Sequence, residues 1–190
     1  MNTTSIMIVG VGGQGTLLAS KLLGNVLLKL GYDVKLSEVH GMSQRGGSVV
    51  TYVRYGEKVY SPVVDLGEAD VILSFELLES ARWIGYLKKG GRLITNTHQT
   101  PPMPVITGAA TYPENIAEKL SAKAEVIALD ALPLAEQAGS AKAVNVVLIG
   151  VLSKLMPFPE EVWLQAIEET VPPKFLEMNQ KAFQLGRNCR

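Results

Sequence analysis

Six residues near the start of the chain, Gly10-Val11-Gly12-Gly13-Gln14-Gly15, follow an apolar run and lead into a helix-forming stretch. A strand that breaks into a glycine turn and then a helix aims unpaired backbone N–H groups at whatever docks there, and an anion suits them best. Each glycine has a reason in this pattern. Gly10 permits a tight turn, Gly12 and Gly13 permit close approach of a ligand or another chain, and Gly15 permits close helix–strand packing. Two uses compete: a docking site, or a turn that the glycines merely tighten.

A second polar cluster follows at His40-Gly41-Met42-Ser43-Gln44-Arg45-Gly46-Gly47. Ser43 and His40 are the types of a nucleophile and its base, but no acid is placed to orient the histidine and there is no nucleophile elbow, which argues against a hydrolase. Met42, Ser43 and Gln44 belong with Arg45 to a contact loop, and Gly46 and Gly47 let the backbone turn sharply. The Arg45 guanidinium is suited to clamp a carboxylate or phosphate, or to pair with a neighbouring chain. Glu38 lies 23 residues after Gly15, at the end of a second strand, the place of a ribose-binding acid in a dinucleotide site. Asn145 sits in the most apolar helix and needs a partner, either a nearby backbone group or a ligand. Glu76 and Glu79 open a helix, where carboxylates favour the helix dipole without any catalytic role.

These residues need elements to hold them. Alternation and apolar runs predict strands at 5–9, 33–38, 48–55, 58–61, 70–75, 92–96 and 125–129, with 48–61 forming a hairpin about Tyr55-Gly56-Glu57-Lys58. Helices are predicted at 16–30, 76–87, 114–121 (with Pro113 at its first position), 141–155, 160–170 and 174–185, the last stopped by Gly186 and carrying Phe175, Met178, Ala182 and Phe183 on its buried stripe. Residues 97–108 carry Pro101, Pro102 and Pro104, which leaves a loop or an edge segment. The pattern predicts one α/β domain over 1–190, a three-layer α/β/α Rossmann-like fold whose mostly parallel sheet has one antiparallel hairpin.

Composition narrows the function. The chain has 190 residues, zero formal net charge and 47% hydrophobic residues. Residues 1–60 hold six Lys or Arg against three Asp or Glu, a mild excess that suits an anionic ligand but is no footprint for nucleic acid. No apolar run is long enough for a membrane span and the start lacks a basic leader, so the expectation is a cytoplasmic protein. One cysteine, Cys189, cannot build an internal disulfide, an iron–sulfur cluster or a thiolate zinc site.

Together, IVGVGGQGTLLASKLLG, SEVHGMSQRGGSVVTYVR, EADVILSFELLE, KKGGRLITN and AVNVVLIGVL resemble the gamma-type domain of 2-oxoacid:ferredoxin oxidoreductases over nearly the whole chain. The HGMSQRGG form, the stand-alone length and KFLEMNQKAFQLG are similar to the beta-subunit branch that serves indolepyruvate. The resemblance implies oxidative decarboxylation of an aryl 2-oxoacid, with coenzyme A taking the acyl group and ferredoxin the electrons. It implies a large catalytic (alpha) subunit as partner, with thiamine diphosphate, magnesium and the iron–sulfur clusters on or with that subunit and no cofactor on this chain. It assigns no acid, base or nucleophile here. The other class left open is an independent Rossmann-like nucleotide or flavin binding protein. Genomic adjacency to a large subunit carrying thiamine-binding and ferredoxin-type cysteine motifs separates the two classes. Separately, the purified chain is expected to be colourless, and a stoichiometric iron–sulfur or flavin absorption band surviving gel filtration would sink that expectation.

Overall fold

A computed structural model describes residues 3–38 and 42–189. Its sheet has six strands in the order β2-β3-β1-β4-β5-β6, with β1 at Thr4–Val11, β2 at Asp33–Glu38, β3 at Ser48–Gly56, β4 at Ala69–Ser74, β5 at Leu87–Asn96 and β6 at Glu125–Leu129. Strands β1, β4, β5 and β6 pair in parallel, and β3 runs antiparallel to both of its neighbours, β1 and β2. The mixed, mostly parallel sheet matches the expectation. The predicted hairpin partner does not: no strand forms at 58–61, and β3 pairs instead with two strands that precede it. The cause is tertiary, since the apolar β1 offers β3 a whole-length ladder from Thr4↔Tyr55 to Val11↔Ser48 that a four-residue hairpin arm cannot rival.

Alternating side chains of β1 feed two cores. Ile6 and Ile8 face α1 (Thr16–Lys29), α5 (Leu132–Ala138), α6 (Val144–Ser153), α7 (Glu160–Thr170) and α8 (Leu176–Asn188). Met7 and Val9 face α2 (Leu77–Trp83) and α4 (Ile116–Ser121). Thus β1 leads to a helix on one face and its neighbour β4 to a helix on the other. The gap between their C-terminal ends is the topological switch point, where open α/β sheets bind their ligands. No helix among the described residues is long and apolar enough to cross a membrane.

Several boundaries move for identifiable reasons. Residues 97–108, expected to lack helix, contain a short helical turn, α3 (Met103–Ile106). Its prolines fall at the N-cap and second position, where no intrahelical donor is required. Helix α2 stops at Trp83 and passes through a 3₁₀ turn at Ile84–Tyr86, so Lys88-Lys89-Gly90-Gly91 belong to a bulged start of β5 rather than to a helix end. Pro113 precedes α4, which is entered through Asn115 in the left-handed region at φ 56°. Phe175 is exposed in a 3₁₀ turn ahead of α8, whose buried stripe is Asn179, Ala182, Phe183 and Gly186.

Gly186 is therefore no stop signal. Helix α8 continues to Asn188, and at Gly186 a Cβ would overlap the carbonyl of Val147 on α6, as one at Gly150 would overlap the carbonyl of Phe183. The two glycines let α6 and α8 cross backbone against backbone. Gly186→Ala is expected to destabilise the chain by roughly 2–3 kcal/mol, lowering Tm by about 4–12 °C, because no rotamer change relieves a backbone clash. Gly85→Ala, where the new methyl would make an ordinary 3.9 Å contact with Leu66, is the control expected within about 0.5 kcal/mol. Equal melting curves for the two variants would show that the close crossing contributes nothing.

Candidate functional site

The turn after β1 is tied down by its own glutamine. Gln14 N–H donates to the Val11 carbonyl (3.2 Å), and Gln14 Oε1 accepts from Val11 N–H (2.8 Å), closing the strand end. Gly10 lies within β1 beneath that side chain. A Cβ there would stand 2.8 Å from Gln14 Oε1 and 3.0 Å from Phe75 Cβ. Gly10 thus serves close approach, not the tight turn expected of it. Positive φ falls instead on Gly13 (100°) and Gly15 (84°), where a side chain would be strained. Gly15 is the N-cap of α1 and provides no side-chain cap, so the first-turn N–H groups have no capping partner from it.

Asn145 accounts for the tightness at Gly15. Its Nδ2 donates to the Gly15 carbonyl (3.2 Å) and its Oδ1 accepts from Val146 N–H (2.9 Å), while a Cβ at Gly15 would collide with the Asn145 amide. Of the two partners expected for this buried amide, the structure supplies backbone: one group is local, and the other belongs to a turn 130 residues away. Gly15 packs against α6 rather than serving only helix–strand packing.

The Met42–Gly47 loop meets the glycine turn directly. Beyond Val11↔Ser48 the β1–β3 ladder continues through Gly12 N–H to the Gly47 carbonyl (2.9 Å) and Gly46 N–H to the Gly12 carbonyl (3.2 Å). Met42, Ser43 and Gln44 form a 3₁₀ turn closed by Arg45 N–H donating to the Met42 carbonyl (2.9 Å). Gly46 has φ 86°, and at Gly47 a Cβ would stand 2.9 Å from Ser43 Cα, so both glycines are required by geometry. Met42 is 74% exposed and Arg45 is exposed, with no ion pair among the described residues. His40, the sequence partner of Ser43, lies outside the described residues.

Glu38 does not reach this edge as a ribose-binding acid. Strand β3 separates β2 from β1, and Glu38 Oε1 accepts a 2.6 Å bond from Ser20 Oγ of α1. The dinucleotide arrangement requires that acid on the strand beside β1. The fingerprint's spacing is present and its topology is not.

Two acids that the sequence assigned only to a helix dipole prove central. Glu76 is 1% exposed and Glu79 is 4% exposed. Glu76 is the N-cap of α2, accepting from Glu79 N–H (2.8 Å). Its other oxygen accepts from Thr100 N–H (3.0 Å) and Tyr112 O–H (2.6 Å). Burial first, and then the bond to Glu76, raise the Tyr112 phenol above the usual tyrosine range, which keeps it a donor. Glu79 accepts from Ser48 Oγ, from Trp83 Nε1 (3.2 Å), and pairs with Arg82 Nε (3.1 Å). The signal was legible as a capping pattern, an acid followed three residues later by another directly after an apolar strand. The number of distant donors was not.

Three hollows share this edge. One of about 570 Å³ is lined by Gly13, Gln14, Gly15, Phe75, Asn96 and Lys142 among others. One of about 260 Å³ lies between the glycine turn, the start of α1 and Val49 to Thr51 of β3. One of about 150 Å³ has Gly46, Gly47 and Ser48 on one wall and Pro102 and Met103 on the other, with Glu76 and Glu79 at its floor. No three potential metal-ligating side chains cluster among the described residues. Both buried acids are engaged by donors. What this edge offers is recognition by backbone N–H groups, a lysine and a guanidinium, with the His98 imidazole also lining the first of these hollows.

The family model of pyruvate ferredoxin/flavodoxin oxidoreductase matches residues 5–189. Indolepyruvate oxidoreductase subunit IorB of Thermococcus kodakarensis is 50% identical, covering 98% of this chain and 95% of that protein, and its Archaeoglobus fulgidus counterpart is 40% identical over 97% and 94%. Among solved structures, pyruvate oxidoreductase subunit PORC of Thermotoga maritima superposes with TM-score 0.75 at 22% identity, covering 98% of this chain and 96% of that one, which shows the fold. A 2-oxoglutarate:ferredoxin oxidoreductase chain from Magnetococcus marinus gives TM-score 0.75 at 18% identity, covering 98% of this chain and 31% of that one. The family resemblance carried by the two glycine motifs is thereby borne out, and the chain belongs to the pyruvate ferredoxin/flavodoxin oxidoreductase family.

Proposed function

We propose that this chain is the small subunit of a 2-oxoacid:ferredoxin oxidoreductase acting on indolepyruvate or a related aryl pyruvate. The observation that carries the reading is the whole-length identity of 50% to an indolepyruvate oxidoreductase subunit. The choice of oxoacid rests on a contrast: the pyruvate/ketoisovalerate common gamma subunit of the same organism is 28% identical. In this reading the complex decarboxylates the oxoacid oxidatively, coenzyme A accepts the acyl group, and two electrons pass to ferredoxin.

The chain's own residues set its share of the work. One cysteine and two histidines cannot ligate iron–sulfur clusters, and the sequence has no GDG-type metal-diphosphate segment, so in this reading the clusters, thiamine diphosphate and magnesium belong with the large catalytic subunit. The interlocked loops at the switch point then serve as an edge that completes the partner's site, with Gly12, Gly13, Gly46 and Gly47 giving close backbone approach and Arg45 offering a charge clamp. Asn145 and Gln14 hold that edge in shape from behind.

Co-expression with the large subunit, followed by an assay of oxoacid- and coenzyme A-dependent ferredoxin reduction, tests the reading. Activity is expected with aryl pyruvates and only from the assembled complex. Ferredoxin reduction by the large subunit alone at the full rate, or turnover confined to pyruvate and branched oxoacids, would overturn it.

Arg45→Ala gives a sharper test within the same complex. Losing one partner of a desolvated charged contact costs about 2–5 kcal/mol in binding, whereas an exposed arginine changes stability by roughly 0.5 kcal/mol or less. The variant is expected to keep its Tm and to lose affinity for the large subunit or oxoacid-dependent rate. Unchanged Tm, affinity and rate together would leave Arg45 a solvated surface residue.

A further inference from the structure

The segment from Thr100 to Tyr112 leaves the sheet edge and returns to it. Both of its ends are bound to the same oxygen: Glu76 Oε1 accepts from Thr100 N–H and from Tyr112 O–H. Tyr112 is fixed further by accepting from Leu78 N–H (3.1 Å). Between these pins the chain is ordered by its own bonds, Ile106 N–H to the Pro102 carbonyl (3.1 Å), Thr107 N–H to the Met103 carbonyl (2.9 Å) and Ala110 N–H to the Pro104 carbonyl (2.9 Å). The result is a preformed arm rather than a loose loop. What the arm displays is apolar: Met103 and Ile106, one helical turn apart, are each 65% exposed. Met103 shares the small hollow with Gly46 and Gly47, so the arm's apolar tip is continuous with the loop that carries Met42 and Arg45.

We propose that this arm is a docking element for the large subunit, with Met103 and Ile106 seated in an apolar pocket of that subunit; the proposal rests on the functional reading above. Two observations choose the occupant. Ketoisovalerate oxidoreductase subunit VorA of Methanothermobacter marburgensis matches 95% of this chain within only 35% of its own length, and the Magnetococcus chain matches within 31%. In such relatives the matching region is one part of a much longer polypeptide, so a partner surface travels with it on the same chain. Moreover, the arm borders the Arg45 loop at the switch point, so one partner surface reaches both, and a long connection in a compact fold is ordinarily kept for function. Two flexible apolar side chains on a rigid support meet a partner's pocket with little ordering left to be done.

The double variant Met103→Ser/Ile106→Ser tests the arm, with binding to the purified large subunit measured beside wild type. Because both side chains face solvent in this chain, Tm is expected to stay within about 2 °C. Burying an apolar side chain of this size is worth about ten- to a hundredfold in affinity, so Kd is expected to rise by at least about tenfold. Leu66→Ser, on an exposed apolar residue of the connection between β3 and β4, is the control expected to bind as wild type does. An independent readout needs no variant: amides of residues 100–112 are expected to gain hydrogen-exchange protection in the complex. Wild type that fails to bind the large subunit overturns the functional reading and this proposal with it. Wild-type binding that the double variant retains in full, weaker binding by Leu66→Ser alone, or self-association through the arm in sedimentation overturns the arm and leaves the functional reading standing.

Discussion

Two hydrogen bonds between glycines determine what lies at the switch point: Gly12 N–H to the Gly47 carbonyl and Gly46 N–H to the Gly12 carbonyl. In a wholly parallel sheet only the segments that follow strands gather at the C-terminal edge. A reversed strand brings its preceding segment there instead. Because β3 is antiparallel to β1, the loop that enters β3 arrives beside the turn that leaves β1, and the ladder between them runs on past both strands. Backbone bonds of this kind contribute only about 0.5–1.5 kcal/mol each, and the glycines on the β3 side are required by their own turn, Gly46 by its φ of 86° and Gly47 by Ser43 Cα 2.9 Å from where a Cβ would stand. The paired glycine motifs in the sequence are the two sides of one junction.

That junction explains why the dinucleotide-like motif here lacks the fingerprint's ribose-binding acid on the strand beside it. The position beside β1 that the acid-bearing strand would occupy is taken by β3, and Glu38 is left on the sheet's edge strand, bonded to Ser20. Gln14, which the fingerprint tolerates without requiring, folds back onto Val11 N–H and covers Gly10. The six letters from Gly10 to Gly15 therefore encode a turn that accepts a neighbouring backbone closely, with Asn145 fixing its last carbonyl.

Legibility in the sequence followed the range of the forces involved. Strands β2 and β6 and helix α7 have their expected limits, because apolar periodicity and turn residues are local properties. Lys58 to Ser61 failed as a strand because pairing partners are chosen across the fold. Gly186 failed as a stop because its meaning lies in Val147, which is near only in space. The site divided the same way. The glycine loops were visible as letters, whereas the burial of Glu76 and Glu79 and the 130-residue reach of Asn145 depend on contacts that no local pattern encodes.

The buried acids complete the physical account of the edge. Burying a carboxyl group is unfavourable unless donors surround it, and Glu76 has three, from α2, from Thr100 and from Tyr112. Glu79 joins the same helix start to Ser48, the first residue of β3. Helix α2, the 100–112 segment and the reversed strand are thus linked through two neighbouring side chains. A displacement of any one would strand a polar group of the others away from water. The consequence is an edge whose shape is settled within this chain before any partner arrives. That is the property the proposed function requires, since ordering deferred until assembly would weaken the assembly itself.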